Sequence, residues 1–211
     1  MITARRILTT LALSTAMALG VSGIAVASAS AAVTIEKAGK AGALANGSEI
    51  KGFSSNLTFT TPEGALECSE NTLEGTLTSN GTEPAEGSIE KGSFTGPAGA
   101  ECKTSFLGEP TAKITPTGLP WLLKVFANGE TELTGTPKID FTAELSNGLT
   151  CGYEAAVIHN ELVAFNASPL EDKVVEQEMT GEAGNSFLCP ASGKLNGTFT
   201  LTSKGEEIEA V

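Results

Sequence analysis

From residue 7 onward the chain contains no arginine. It also has only two aspartates (Asp140 and Asp172), one histidine (His159), one tryptophan (Trp121) and one tyrosine (Tyr153). Each shortage removes a class of function. Nucleic-acid recognition draws on dense Lys/Arg patches, and bidentate phosphate or guanine contacts need the guanidinium fork, so nucleic acid is excluded as a partner. Without Arg5 and Arg6 the chain carries 11 lysines against 25 acidic residues, a net charge of −14, which an anionic membrane surface would repel. The glutamates are scattered and not run together, so the acidity reads as solubility.

Catalytic motifs are equally scarce. A serine or cysteine triad would have to use His159 as its base, and no G-x-S-x-G elbow occurs. His159 lies between Ile158 and Asn160, which read as a turn between "LTCGYEAAVI" and "ELVAFNAS". Neither aspartate has a close Asp neighbour of the kind calcium loops use. Asp140 reads as outward-facing in a strand, and Asp172 as part of a charged turn, "EDK". Glycine-rich phosphate loops are missing, no Cys-x-x-Cys pair exists for zinc, and no cofactor or metal is implied.

What is present begins with an export signal. Arg5 and Arg6 precede an apolar run from Ile7 to about Val26, and "AVASASAA" offers cleavage after Ala29 or Ala31. Residues 1–31 are therefore read as a signal peptide, by the general or the twin-arginine route, with an uncleaved anchor as the rival. Residues 32–211 then form a mature, secreted or cell-surface chain, read as a single domain whose weakest break lies at Glu109 to Gly118.

Four cysteines, Cys68, Cys102, Cys151 and Cys189, all fall in the exported part and read as two disulfides. "GSFTGPAGAEC" and "QEMTGEAGNSFLC" share a pattern and end at Cys102 and Cys189. Each terminal cysteine follows an earlier one at a similar distance. This internal twofold repeat favours Cys68–Cys102 and Cys151–Cys189.

Asn-Gly occurs at Asn46, Asn80, Asn128, Asn147 and Asn196, and each pair suits the positive φ angles of a tight hairpin turn. In "KIDFTAELS" Ile139, Phe141, Ala143 and Leu145 share one face, and "TLEGTLTS" and "GTFTLTS" show the same period of two. No convincing helical period appears, and "PLEDKVVEQEM" reads as a helix or as a turn plus an edge strand. The fold class is all-β, an antiparallel β-sandwich or a jelly-roll-like barrel of short strands. Five N-x-[ST] triplets accompany the turns, three of them at Asn-Gly pairs, and are explained mostly by turn chemistry.

Candidate ligand-binding residues are few. Trp121 and Tyr153 are the polar-tipped aromatics a sugar-binding module would expose, although a lone tryptophan beside Leu122, Leu123, Val125 and Phe126 is also a core residue by type. A two-residue turn at Asn128-Gly129 would put Trp121, Leu123 and Val125 on one face with Glu130 and Glu132, unless a bulge shifts the register. Glu130 and Glu132 are the best-placed pair for glycosidase chemistry.

The Ala-rich signal, "LPW" before a strand, "NGLTCGY" and the Cys-bounded "FTG" segment resemble small secreted β-rich proteins of actinobacterial type. The resemblance implies export and an all-β fold and transfers no functional residue. The expected function is binding or a structural role at the cell exterior, without catalysis, toward an extracellular polymer or protein. A carbohydrate-binding module using Trp121 and a polysaccharide hydrolase using paired glutamates are the alternatives.

Overall fold

The computed structural model of the chain describes residues 32–163 and 165–211. The signal peptide read at 1–31 lies outside the described residues. Fourteen strands make up the fold: β1 (Ile35–Lys37), β2 (Glu49–Ser54), β3 (Leu57–Thr61), β4 (Gly64–Cys68), β5 (Glu70–Ser79), β6 (Ala85–Thr95), β7 (Cys102–Thr104), β8 (Thr111–Thr117), β9 (Trp121–Val125), β10 (Glu130–Leu145), β11 (Thr150–Leu162), β12 (Leu170–Gly181), β13 (Ser192–Ser203) and β14 (Glu206–Ala210).

Several short strands are halves of longer ones. β13 runs antiparallel to both β2 and β3, so these two continue one another across a jog at Ser55-Asn56. In the same way β5 pairs with β2 and β4 with β3, β6 pairs with β5 and β7 with β4, and β10 pairs with both β9 and β8. Counting each jogged pair once leaves eight long antiparallel strands, consecutive in the chain and adjacent in space. The last of them, β13, hydrogen-bonds back to the first. The sheet is a meander that closes on itself. Neither a jelly-roll crossover nor a second sheet is needed, because short hairpin loops join each strand to its neighbour.

The jogs are held by the side chains of a buried and an exposed asparagine. Asn71 donates from Nδ2 to the carbonyls of Ser54 and Cys68, each at 2.9 Å, at the ends of β2 and β4. Asn56 Oδ1 accepts from the Thr198 amide at 3.1 Å, where β13 passes from β3 to β2. Gly197 sits at that crossing because a Cβ there would lie 2.8 Å from Leu57 Cδ1.

Of the five Asn-Gly pairs, the glycines at 47, 81, 129 and 148 take positive φ in turns. The fifth, Asn196-Gly197, is inside β13, placed there by close packing and not by a turn. Two further expectations are corrected. His159-Asn160 lies within β11, not at a turn, and "EDKVVEQEM" lies in β12, which is paired on both sides and is not an edge.

At mid-height several strands change which residues point inward. In β11 the buried set passes from Cys151 and Tyr153 to Ile158 and Leu162, and in β12 from Leu170, Asp172 and Val174 to Met179. Register shifts accompany the change between Thr134 and Ile139 of β10 and between Val174 and Gln177 of β12. Such bulges bend a strand, which a sheet must do to close. They divide the interior into two levels.

The lower level holds an aromatic cluster in which Phe59 meets Phe106, Phe141 and Tyr153 with ring centroids 6.3, 5.4 and 4.6 Å away. Both disulfides lie at this end. Cys68–Cys102 and Cys151–Cys189 are formed, each bracketing one hairpin, β5–β6 or β11–β12. The two matching Cys-terminated segments are thus the exits of two bracketed hairpins. On the chain-entropy account each bridge contributes on the order of 4 kcal/mol.

The upper end is covered by the β1–β14 ribbon, whose Ile35, Ile208 and Ala210 enter the core. Glu206 ties the ribbon to Lys37 and Lys40. Their hydrogen bonds, Lys37 foremost, hold its carboxyl down at about 2.

Gly193 of β13 faces the Phe59 ring so closely that a Cβ would overlap it. Gly193→Ala is expected to cost about 1–3 kcal/mol and lower the urea midpoint. An unchanged midpoint would contradict this packing of β13 on β3.

Candidate functional site

The upper level of the interior contains a layer of three polar side chains. Thr131 of β10, Asn160 of β11 and Asp172 of β12 sit on three successive strands and all point inward. Thr131 Oγ1 donates to Asp172 Oδ1 at 2.6 Å, and Asn160 Nδ2 donates to Asp172 Oδ2 at 2.8 Å. Thr131 stands directly opposite Asn160 in the β10–β11 ladder. Burial pushes the Asp172 carboxyl up from its ordinary value, and the two donated bonds oppose that shift without cancelling it. Asn160 Oδ1 is buried and has no hydrogen-bond partner.

Asp172 and Asn160 line an interior cavity of about 80 Å³. Apolar side chains form most of its wall, among them Trp121, Leu133, Ile158, Val174 and Phe199, with Thr58 the other polar side chain. At roughly 30 Å³ per molecule of liquid water, that space suits two waters or one small organic molecule. Trp121, Ile89, Leu133, Ile139, Ile158 and Val174 pack as one cluster on this level.

The structure separates Trp121 and Tyr153 from Glu130 and Glu132, the last two sharing an outer depression with His159. Trp121 is 4% exposed, and its Nε1 donates to the Thr117 carbonyl at 3.1 Å. It has no free face on which a sugar could stack. Its orientation follows from the β9–β10 turn. The Phe126 amide bonds to the Glu130 carbonyl, so the loop has three residues and pairs Val125 with Thr131. This extra residue turns Trp121, Leu123 and Val125 inward, with Thr131 and Leu133.

Tyr153 is fully buried on the lower level. Its hydroxyl has no partner, and burial, with the Glu63 charge a lesser cause, raises its pKa. Glu130 and Glu132 lie on the outer face of β10, opposite Glu161 and His159 of β11. Glu130 Oε2 accepts from Asn128 Nδ2 at 2.7 Å, and Glu132 Oε1 stands 3.8 Å from His159 Nδ1. The wall of the sheet separates these glutamates from the cavity. Among the described residues no three His, Cys, Asp or Glu side chains are grouped to hold a metal ion.

Asp172, Asn160 and Thr131 were not singled out from the sequence. The signal for Asp172 was present: Leu170, Asp172 and Val174 alternate with Glu171, Lys173 and Val175, which places an aspartate on the apolar face of a strand. Comparison with family models, with curated proteins and with solved structures finds no match to this chain.

A carboxyl with a raised folded pKa holds its proton longer in the folded state. Its contribution to stability is complete below its ordinary value of 3.8 and is lost as pH rises through the folded pKa. Asp172→Asn removes that contribution. Urea midpoints of the two proteins from pH 4 to 8 are therefore expected to move in the variant's favour as pH rises. Parallel curves would contradict a buried, proton-holding Asp172.

Proposed function

We propose that the protein works outside the cell as a non-catalytic binding protein, and that the closed sheet is a rigid container for a small, largely apolar molecule. The observation that carries this reading is the apolar cavity inside the sheet around Trp121 and Asp172. Eight-stranded closed sheets have interiors just large enough to be filled by side chains or to hold one small ligand. An apolar cavity with a few convergent polar groups is the default binding site; the other concave candidate is an outer depression of about 630 Å³ lined by Glu130, Glu132, His159, Glu161 and Lys173.

Export is part of the proposal. It rests on the signal-like residues 1–31 and on two disulfides, which persist in oxidising surroundings. Among the described residues no helix is long and apolar enough to cross a membrane.

The polysaccharide readings draw less support. A sugar platform needs an exposed aromatic face, and both Trp121 and Tyr153 are buried. A glycosidase needs one carboxyl with a raised pKa beside a substrate cleft, whereas Glu130 and Glu132 lie on the outer face of a paired strand. Without catalysis, no polysaccharide releases sugar in the protein's presence.

Trp121 is the chain's only tryptophan and lines the cavity, so its emission reports occupancy. Xenon enters dry apolar cavities of this kind. Xenon under pressure is expected to quench Trp121 saturably, while acrylamide and polysaccharides leave a blue-shifted emission untouched. A red-shifted emission that acrylamide quenches and a polysaccharide protects would overturn the container reading and restore the sugar platform.

A further inference from the structure

The cavity's polar equipment is one-sided. Each oxygen of Asp172 already accepts one hydrogen bond, and the Asn160 amide nitrogen is used in making one of them. The Asn160 amide oxygen is left buried with nothing donating to it. A carboxylate also has lone pairs left for a further donor. No lysine takes part: Lys173, next to Asp172 in sequence, is exposed on the opposite face of β12. An unpaired buried acceptor is costly, so a molecule that fills the cavity gains most by bringing a donor to it. The rest of the wall offers only apolar contact, with Thr58 the exception.

We propose that the cavity selects a small aliphatic molecule of about three heavy atoms bearing a single hydrogen-bond donor, a hydroxyl or an amine, whose head rests on Asp172 and Asn160 and whose tail packs against the surrounding apolar side chains. The inference rests on the container reading above and adds the ligand's chemistry. Volume limits the ligand. A cavity of 150 Å³ accommodates benzene, so about 80 Å³ suits a molecule of about three heavy atoms. An amine head would bring the positive charge that an ionised Asp172 lacks. A hydroxyl head needs no charge and donates to the Asn160 amide oxygen.

Four probes of one size separate these possibilities: ethanol, ethanamine, chloroethane and acetonitrile. The first two carry a donor, the third carries none, and the fourth is an acceptor only. Binding to the wild-type protein is read from Trp121 emission and from the rise in melting temperature. The alcohol or the amine is expected to bind at least about tenfold more tightly than the chloride and the nitrile, the ratio that one satisfied buried acceptor supports. In Asn160→Leu the alcohol's advantage over the chloride is expected to vanish. The comparison within the wild type stands even if that variant does not fold. If the chloride or the nitrile binds as tightly as the donors, the donor requirement is overturned and the container reading survives. If no probe binds and xenon does not quench, the cavity holds water only and both readings fail.

Discussion

The structure depends on one contact, the return of β13 to β2 and β3. Without it the eight long strands would form an open meander with two unpaired edges and an apolar face open to water. With it, every long strand has a partner on both sides and the apolar faces turn inward together. Edge strands invite pairing with other chains, and the closed sheet has none among its long strands. The closing seam is accordingly well supported. Leu201 stands opposite Gly52 and Leu195 opposite Phe59, Asn56 serves the Thr198 amide at the crossing, and Gly193 and Gly197 let β13 approach the interior side chains of β3.

Closure imposes curvature, and the chain meets that demand at mid-height. Bulges in β10 and β12 and the change of inward-facing residues in β11 divide the interior into a lower level built on the Phe59 cluster and an upper level that holds Trp121 and the polar layer. The disulfides brace the lower end and the β1–β14 ribbon covers the upper. Between ribbon and bulges lie Thr131, Asn160 and Asp172. Keeping a carboxyl in such surroundings is expensive unless it is hydrogen-bonded or protonated, and here both conditions are approached: two donors reach it, and burial favours the proton. A leucine at that position would pack at lower cost. The retained polar layer is therefore the feature that most distinguishes this interior from a simple core.

The fold class was legible because period-two alternation is a local property. "KIDFTAELS" shows Ile139, Phe141, Ala143 and Leu145 on one face, and all four are buried. The pairing of Cys68 with Cys102 and of Cys151 with Cys189 was legible too, since the matching segments mark two similar hairpins. The closure was not legible, because it joins segments about 140 residues apart through ladder hydrogen bonds that any side chain permits. Register also escaped local reading. One extra residue in the Phe126 to Glu130 turn decides whether Trp121 faces in or out, and Asn-Gly suits either loop length. Asp172 and His159-Asn160 were read as turns because polar residues between apolar runs usually are. Inside a closed sheet the same residues can sit mid-strand, with their backbone groups paired and one side chain turned inward.

Closure is the central claim, and amide hydrogen exchange along the seam tests it most directly. If β13 closes the sheet, the hydrogen-bonded amides across Lys51–Phe53 and Thr200–Thr202 exchange as slowly as those of the β5–β6 hairpin, and all are released together on global unfolding. Fast exchange at the seam, with the β5–β6 amides still protected, would show an open sheet and leave no interior cavity for a ligand.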